Sequence, residues 1–342
     1  MKLKAPWAIA DRITESVENI FIEIITDQEI SGMGAGAPSP DVTGETIQNA
    51  FDRLQLMSSK IIGWDLGNKK DLFAQLESEL RAFSATRAAI DMALFDALAQ
   101  SEGKSVVEHL GQVHQCLPTS ITIGVESFDK TIEDAKKNIE KGFSILKIKI
   151  GENIDEDIEK VFALSELGAE DLLIRVDANR GYNVKELEQF FEKTQHLGLE
   201  LIEQPLPKDQ IKEMLNFPEE LRHICVADES LHSPDDAHQL TKGMKPFGVF
   251  NIKLMKCGGI YPALEIARIA ENEGIGLMWG CMDESKISIT AALHAALASP
   301  ATKFLDLDGF FDLGWDLMSG GYICEHGVMQ TNHKPGLGLH HE

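Results

Sequence analysis

Positive charge and cysteine are both scarce in this sequence, and each shortage closes off a class of function. Lys and Arg number 32 against 55 Asp and Glu, for a formal net charge of -23. Nucleic acid needs a basic face to neutralise phosphate, so it is excluded as a partner. The five cysteines, Cys116, Cys225, Cys257, Cys281 and Cys324, are scattered with no CxxC pair, so neither a disulfide framework nor a zinc site is expected. No apolar run approaches the roughly 20 residues that span a bilayer, and MKLKAPWAIADRITE lacks the apolar centre of a secretory signal. A soluble chain in a reducing, cytoplasmic compartment is expected.

What is abundant is core-forming material. Hydrophobic residues are 43% of 342, enough for a barrel of roughly 250 residues and an extra module. In the second two-thirds, short β-branched runs recur: SITIG, ILKIKIG, LLIRVDAN, LELIEQP, HICVADES, GVFNIKL, GLMWGCM and KFLDLDG. Polar-patterned helical stretches separate them. From the second run onward, one residue near each end can be marked: Lys149, Asp177, Glu203, Asp228, Lys253, Cys281 and Asp306. Their spacing stays between 25 and 28 residues, the length of one strand, one helix and two short loops. Eight such units predict an α/β fold, a closed parallel (β/α) barrel of TIM-like type, in preference to an open doubly wound sheet.

Residues 1–115 read differently, as an α+β capping domain. VENIFIEIITD alternates as an antiparallel strand, GMGAG reads as a tight hairpin turn, and amphipathic helices are expected over about 43–62 and 70–101. The barrel takes residues 116–319. The tail, 320–342, is strand-like and is expected to return to the cap.

Polar residues at the C-terminal ends of barrel strands face the active-site mouth. Here Asp177, Glu203 and Asp228 fall on three consecutive strand ends, where like charges repel unless a cation lies between them. Their oxygens favour a hard ion, Mg²⁺ first and Mn²⁺ second. Such an ion also answers the question of how so acidic a chain would bind an anion. Lys147 and Lys149 alternate along one strand and share a side. Lys253 occupies the matching place four strands on, across the mouth, so two lysines suit removing a proton from one face of a carbon and returning it to the other. A neighbouring cation would lower a lysine's pKa towards neutrality. Lys256, past the strand end, reads as a loop residue.

The motifs KIK (147–149), VDAN (176–179), IEQP (202–205), ADES (227–230) and NIKLMKCGG (251–259), in this order and spacing, closely resemble the muconate-lactonizing subgroup of the enolase superfamily. That resemblance implies a Mg²⁺ site at Asp177, Glu203 and Asp228 that holds a substrate carboxylate. It implies Lys149 and Lys253 as acid and base through an enediolate, and Lys147 as a hydrogen-bond donor to the carboxylate. The pair Asp306 and Asp308 resembles the DxD motif with which dipeptide epimerases hold a free amine. Arg12 falls where L-Ala-D/L-Glu epimerases carry an arginine for the Glu side chain. Asp283, next to Met282, stands where an apolar residue is usual; it would favour a cationic side chain, or else pair with Lys286.

The expected function is therefore a dipeptide epimerase acting on the C-terminal residue. L-Ala-D/L-Glu from murein recycling leads, and a cationic or hydrophobic side-chain preference is the alternative. A synthase or cycloisomerase of the same subgroup, and a non-catalytic binding protein on this fold, are the remaining readings. The partner is a small dipeptide, with no nucleic acid or membrane, and a homo-oligomer is compatible with the sequence.

Overall fold

The computed structural model describes residues 1–9, 12–168 and 171–341. The chain opens with a hairpin of β1 (Lys2–Ile9) and β2 (Arg12–Ser16), then a second of β3 (Ile20–Ile25) and β4 (Ser31–Gly36), followed by α1 (Ile47–Lys60), α2 (Lys69–Leu80) and α3 (Ser84–Ser101). Two expectations change here. The stretch predicted as one helix over 70–101 is broken after Leu80, because the buried Glu45 carboxylate accepts from Ala85 N and Thr86 N and starts a separate helix. GMGAG is not a turn but strand β4, paired antiparallel with β3. The reason lies in packing. A Cβ on Gly34 would stand 1.8 Å from the Ala89 carbonyl oxygen, and one on Gly32 would stand 2.1 Å from that of Ala93. Glycine at every second position lets β4 lie directly on the backbone of α3.

After α4 (Val106–Leu110) and the two-residue β5 (Leu117–Pro118), the eight expected strands appear: β6 (Ile121–Ile123), β7 (Ile145–Lys149), β8 (Leu173–Asp177), β9 (Leu199–Glu203), β10 (Cys225–Ala227), β11 (Val249–Ile252), β12 (Gly276–Gly280) and β13 (Thr302–Asp306). They form one sheet in sequence order, with every neighbouring pair parallel. The helices α5 (Phe128–Glu140), α6 (Ile154–Ser165), α7 (Val184–Thr194), α8 (Glu219–Ile224), α9 (Pro234–Leu240), α10 (Leu254–Cys257), α11 (Ile260–Glu273) and α12 (Lys286–Leu297) lie between or after them. The seam between β13 and β6 closes through a Thr119–Leu305 bridge and a hydrogen bond from Ser120 N to Leu305 O. The result is a nearly closed eight-stranded barrel.

Strand alternation then stacks the interior in layers. Leu201, Val226, Val249 and Met278 cluster together, with Phe304 packed against them. The Arg175 guanidinium lies 5.2 Å from the Phe304 ring centroid. Two residues further along each strand come Asp177, Glu203, Asp228, Asn251, Gly280 and Asp306. A mainly apolar layer that also holds the buried Arg175 guanidinium thus forms the floor on which a polar layer is displayed.

The tail continues as β14 (Met318–Gly320), β15 (Tyr322–Glu325), β16 (Val328–Thr331) and β17 (Leu339–His341). Leu337 N donates to Asp96 of α3, and β16 pairs antiparallel with β5. Among the described residues no helix is long and apolar enough to cross a membrane.

Candidate active site

The polar layer is built from neighbouring strands in register. Lys149 lies opposite Asp177 and Asp177 opposite Glu203, with Asp228 one residue beyond β10. These three carboxylates are 0%, 1% and 4% exposed, so each needs a charged or hydrogen-bonded partner. Lysines supply them. Lys149 Nζ donates to Asp177 Oδ2 over 2.6 Å, and Lys253 Nζ to Asp228 Oδ2 over 2.8 Å. Lys147 Nζ stands 2.5 Å from Glu203 Oε2, 2.7 Å from Asp306 Oδ2 and 3.4 Å from Asp177 Oδ2. Asn251 Nδ2 donates to Glu203 Oε1 over 2.6 Å, a reach that depends on Gly280, where a Cβ would stand 2.5 Å from Asn251 Oδ1.

The electrostatics follow from this crowding. Burial, then Asp177, push Glu203 up to about 7. Burial also opposes ionisation of Asp228, but Lys253 and Lys256 outweigh it and hold that carboxyl well below its usual range. Lys253 is buried, which favours its neutral form, yet Asp228 and Glu203 raise its pKa. The neighbouring Lys147 pulls the Lys253 pKa the other way, but the carboxylates outweigh it.

The donor set fits a hard divalent ion. Burial, with repulsion from the neighbouring Asp177 and Asp228, lifts Glu203 to about 7, and oxygen is the ligand Mg²⁺ prefers. As the side chains stand, they close on lysines, and no three acidic, His or Cys groups among the described residues form a ready-made cage.

Above this layer lies a cavity of about 540 Å³. Lys147, Lys149 and Lys253 line it, together with Asp306 and Asp308. Asp306 accepts from Ser120 Oγ as well as Lys147. Burial works against its ionisation, but Lys147 and Ser120 hold it at about 2. Asp308 accepts from Thr122 N over 2.6 Å, and burial with the neighbouring Asp306 pushes it to about 7. Met282 and Asp283 also line the cavity. Lys286 rests over the Phe310 ring at 4.6 Å from its centroid. The Arg12 side chain lies outside the described residues.

Sequence reasoning missed several contributors. Lys256 is not a loop residue: it sits on α10, 5% exposed, and donates to both the backbone and the side chain of Asp228. Its place one helical turn after Lys253 was the available signal. Glu284 is buried and accepts from Met282 N over 2.8 Å, which shapes the loop carrying Asp283. Glu15, Glu18 and Asp312 add acid to the cavity wall. Burial, then Asp283, raise Asp312 to about 6.

A parallel barrel with acid-bearing strand ends and a lysine base at its mouth fits the pattern of the enolase superfamily. The chain is an enzyme of that superfamily and belongs to its mandelate racemase/muconate lactonizing enzyme family. Residues 1–111 match the mandelate racemase/muconate lactonizing enzyme N-terminal domain and residues 130–341 the enolase C-terminal domain-like family. An L-Lys-D/L-Arg epimerase from Desulforapulum autotrophicum is 48% identical over 99% of this chain and 96% of its own length. The L-Ala-D/L-Glu epimerase of Clostridium acetobutylicum is 33% identical, over 98% of this chain and 95% of its own. Among solved structures, a dipeptide epimerase from Methylococcus capsulatus, complexed with Mg and L-Arg-D-Lys, superposes with a TM-score of 0.95. It is 44% identical, with 99% of this chain and 96% of that one covered.

Proposed function

We propose that this chain is a Mg²⁺-dependent dipeptide epimerase that inverts the α-carbon of the C-terminal residue and prefers dipeptides with cationic side chains. The observation that carries the preference is the cavity wall. Beyond Asp306 and Asp308, four further acids, Glu15, Glu18, Asp283 and Asp312, line the space above the lysines. An acidic side chain would meet that wall at an electrostatic cost, whereas a Lys or Arg side chain would relieve the repulsion between Asp283 and Asp312. The L-Lys-D/L-Arg relatives, nearer in identity than the L-Ala-D/L-Glu ones, support the same choice. The cationic alternative therefore replaces L-Ala-D/L-Glu as leading substrate.

In this reading Asp177, Glu203 and Asp228 hold the ion, which when bound supplies Lewis-acid stabilisation for the substrate carboxylate. Lys149 and Lys253, four strands apart, take the proton from one face of the α-carbon and return one to the other. Lys147 donates to the substrate carboxylate, and Asp306 with Asp308 receives the free amine. A dipeptide panel in D₂O with Mg²⁺, read by mass shift at the α-carbon, tests the assignment. Exchange is expected to be fastest with Lys- and Arg-containing dipeptides, and Lys149→Ala and Lys253→Ala should each abolish exchange from one epimer. A panel without any exchange rules out the epimerase reading, and fastest exchange with L-Ala-L-Glu rules out the cationic preference.

A further inference from the structure

The turn that follows Lys253 is held from outside the barrel. Lys253 directly precedes the single-turn helix α10, whose closing bonds run from Cys257 N to Lys253 O and from Gly258 N to Leu254 O. Gly258 and Gly259 then adopt φ of 93° and 118°, which only glycine takes readily. Space demands glycine as well. A Cβ on Gly258 would stand 2.0 Å from Arg87 Nε, and one on Gly259 would stand 2.3 Å from Asp91 Cγ.

Both intruding side chains come from α3 and lie one helical turn apart, 8% and 1% exposed. Arg87 Nη2 donates to the Cys257 carbonyl. Asp91 accepts from Ile260 N at 2.5 Å and from Tyr261 N at 3.2 Å, the otherwise unpaired amides at the start of α11. Met255, inside the same turn, receives a contact from Ala37 N, and Ala37 belongs to the cavity wall. The opposing lysine is mounted differently. Past Lys149, Gly151 packs on Ala178 and Gly181 of the next barrel loop, with its Cβ position 2.4 Å from Ala178 O.

We infer that Arg87 and Asp91 are positioning residues for Lys253: from helix α3 they fix the one turn that aims its amine, whereas among the described residues Lys149 is held through barrel contacts, to Asp177 and past it at Gly151. The inference rests on the two-lysine epimerase reading above. Its signature is asymmetry. A general loss of structure would slow proton removal from both epimers alike, whereas loss of this clamp slows only the one served by Lys253.

The test uses full-length Asp91→Asn, which keeps shape but loses one acceptor, and Arg87→Met. Arg87→Lys, which restores one donor for the Cys257 carbonyl, serves as the rescue. Solvent deuterium uptake is measured separately from each epimer of a Lys-containing dipeptide, with Lys253→Ala marking the epimer that depends on Lys253. A small misplacement of a reacting group costs on the order of 10- to 100-fold, so that epimer should slow by this much in both variants, its partner should change little, and Arg87→Lys should recover part of the loss. Equal slowing of both epimers, or of neither, overturns the inference. Amide hydrogen exchange at Ile260 and Tyr261 supplies a readout without substrate: protection there should drop in Asp91→Asn, and unchanged protection overturns the clamp. Wild-type protein without exchange on any dipeptide would instead sink the epimerase reading, with the amide measurement still deciding the clamp.

Discussion

Lys147 and Asp306 form a 2.7 Å ion pair that joins the second barrel strand to the eighth across the seam. Lys147 also holds Glu203 at 2.5 Å, so one ammonium connects the proposed metal-binding carboxylates to the acid pair proposed for the substrate amine. Ser120 Oγ, at 2.6 Å from Asp306 Oδ1, leaves that carboxylate little freedom to turn.

Asp306→Asn should therefore weaken both functions together. A hydrogen bond to a charged group is worth roughly 1.5–3 kcal/mol, so kcat/KM for a free dipeptide should fall about 10- to 100-fold. The N-acetylated form of the same dipeptide, which carries no ammonium, should lose much less, and the preference for the free amine should shrink accordingly. Steady-state kinetics with the two substrates check this. An unchanged preference would remove Asp306 from amine recognition.

Lys256 offers a test of stability. Asp228 is 4% exposed and its side chain is shared by Lys253 and Lys256. Lys256→Met removes one partner of a buried ionic group, a change that costs about 3–5 kcal/mol. Urea unfolding without added metal should register that loss. Mg²⁺ should stabilise wild type and variant alike, because a ligand that binds the folded state raises its stability. A loss below about 1 kcal/mol, the scale of an exposed pair, would mean that Lys256 does not carry this share of Asp228.

How much of this was legible in the sequence depends on whether a residue's role is set along the chain or across it. The barrel strands were readable because each is a β-branched run and its terminal acid or lysine recurs at a steady spacing. Strand β4 was not, because GMGAG owes its extended form to the α3 backbone at Ala89 and Ala93, which lies far away in sequence. Lys256 was misplaced because α10 has only four residues, too few for a helical period to show. The leading substrate side chain was read through Arg12, near the tip of the first hairpin, while Asp283 pointed to the cationic alternative; Asp312 and Glu18 enter the wall from irregular segments that carry no pattern.

Asp312 makes the cationic preference testable by pH. Burial and the nearby Asp283 raise it to about 6, so the carboxyl is largely neutral below that pH and charged above it. A cationic substrate side chain binds the charged form better, so KM for a Lys-containing dipeptide should rise as pH falls through 6. For a single proton the limit is about tenfold per pH unit. Conversely, saturating substrate should pull the Asp312 pKa down towards the ordinary carboxylate value of about 4. Asp308, pushed up to about 7 by burial and Asp306, faces every dipeptide alike in this reading, so a neutral dipeptide such as L-Ala-L-Ala is the reference that cancels it. Plotted as the ratio of the two KM values, wild type should show one titration near pH 6. Asp312→Asn should be flat, with the cationic advantage reduced by about tenfold, the worth of one charge-assisted contact at roughly 1.4 kcal/mol. A ratio that titrates equally in the variant would move the preference away from Asp312 and onto the remaining wall acids.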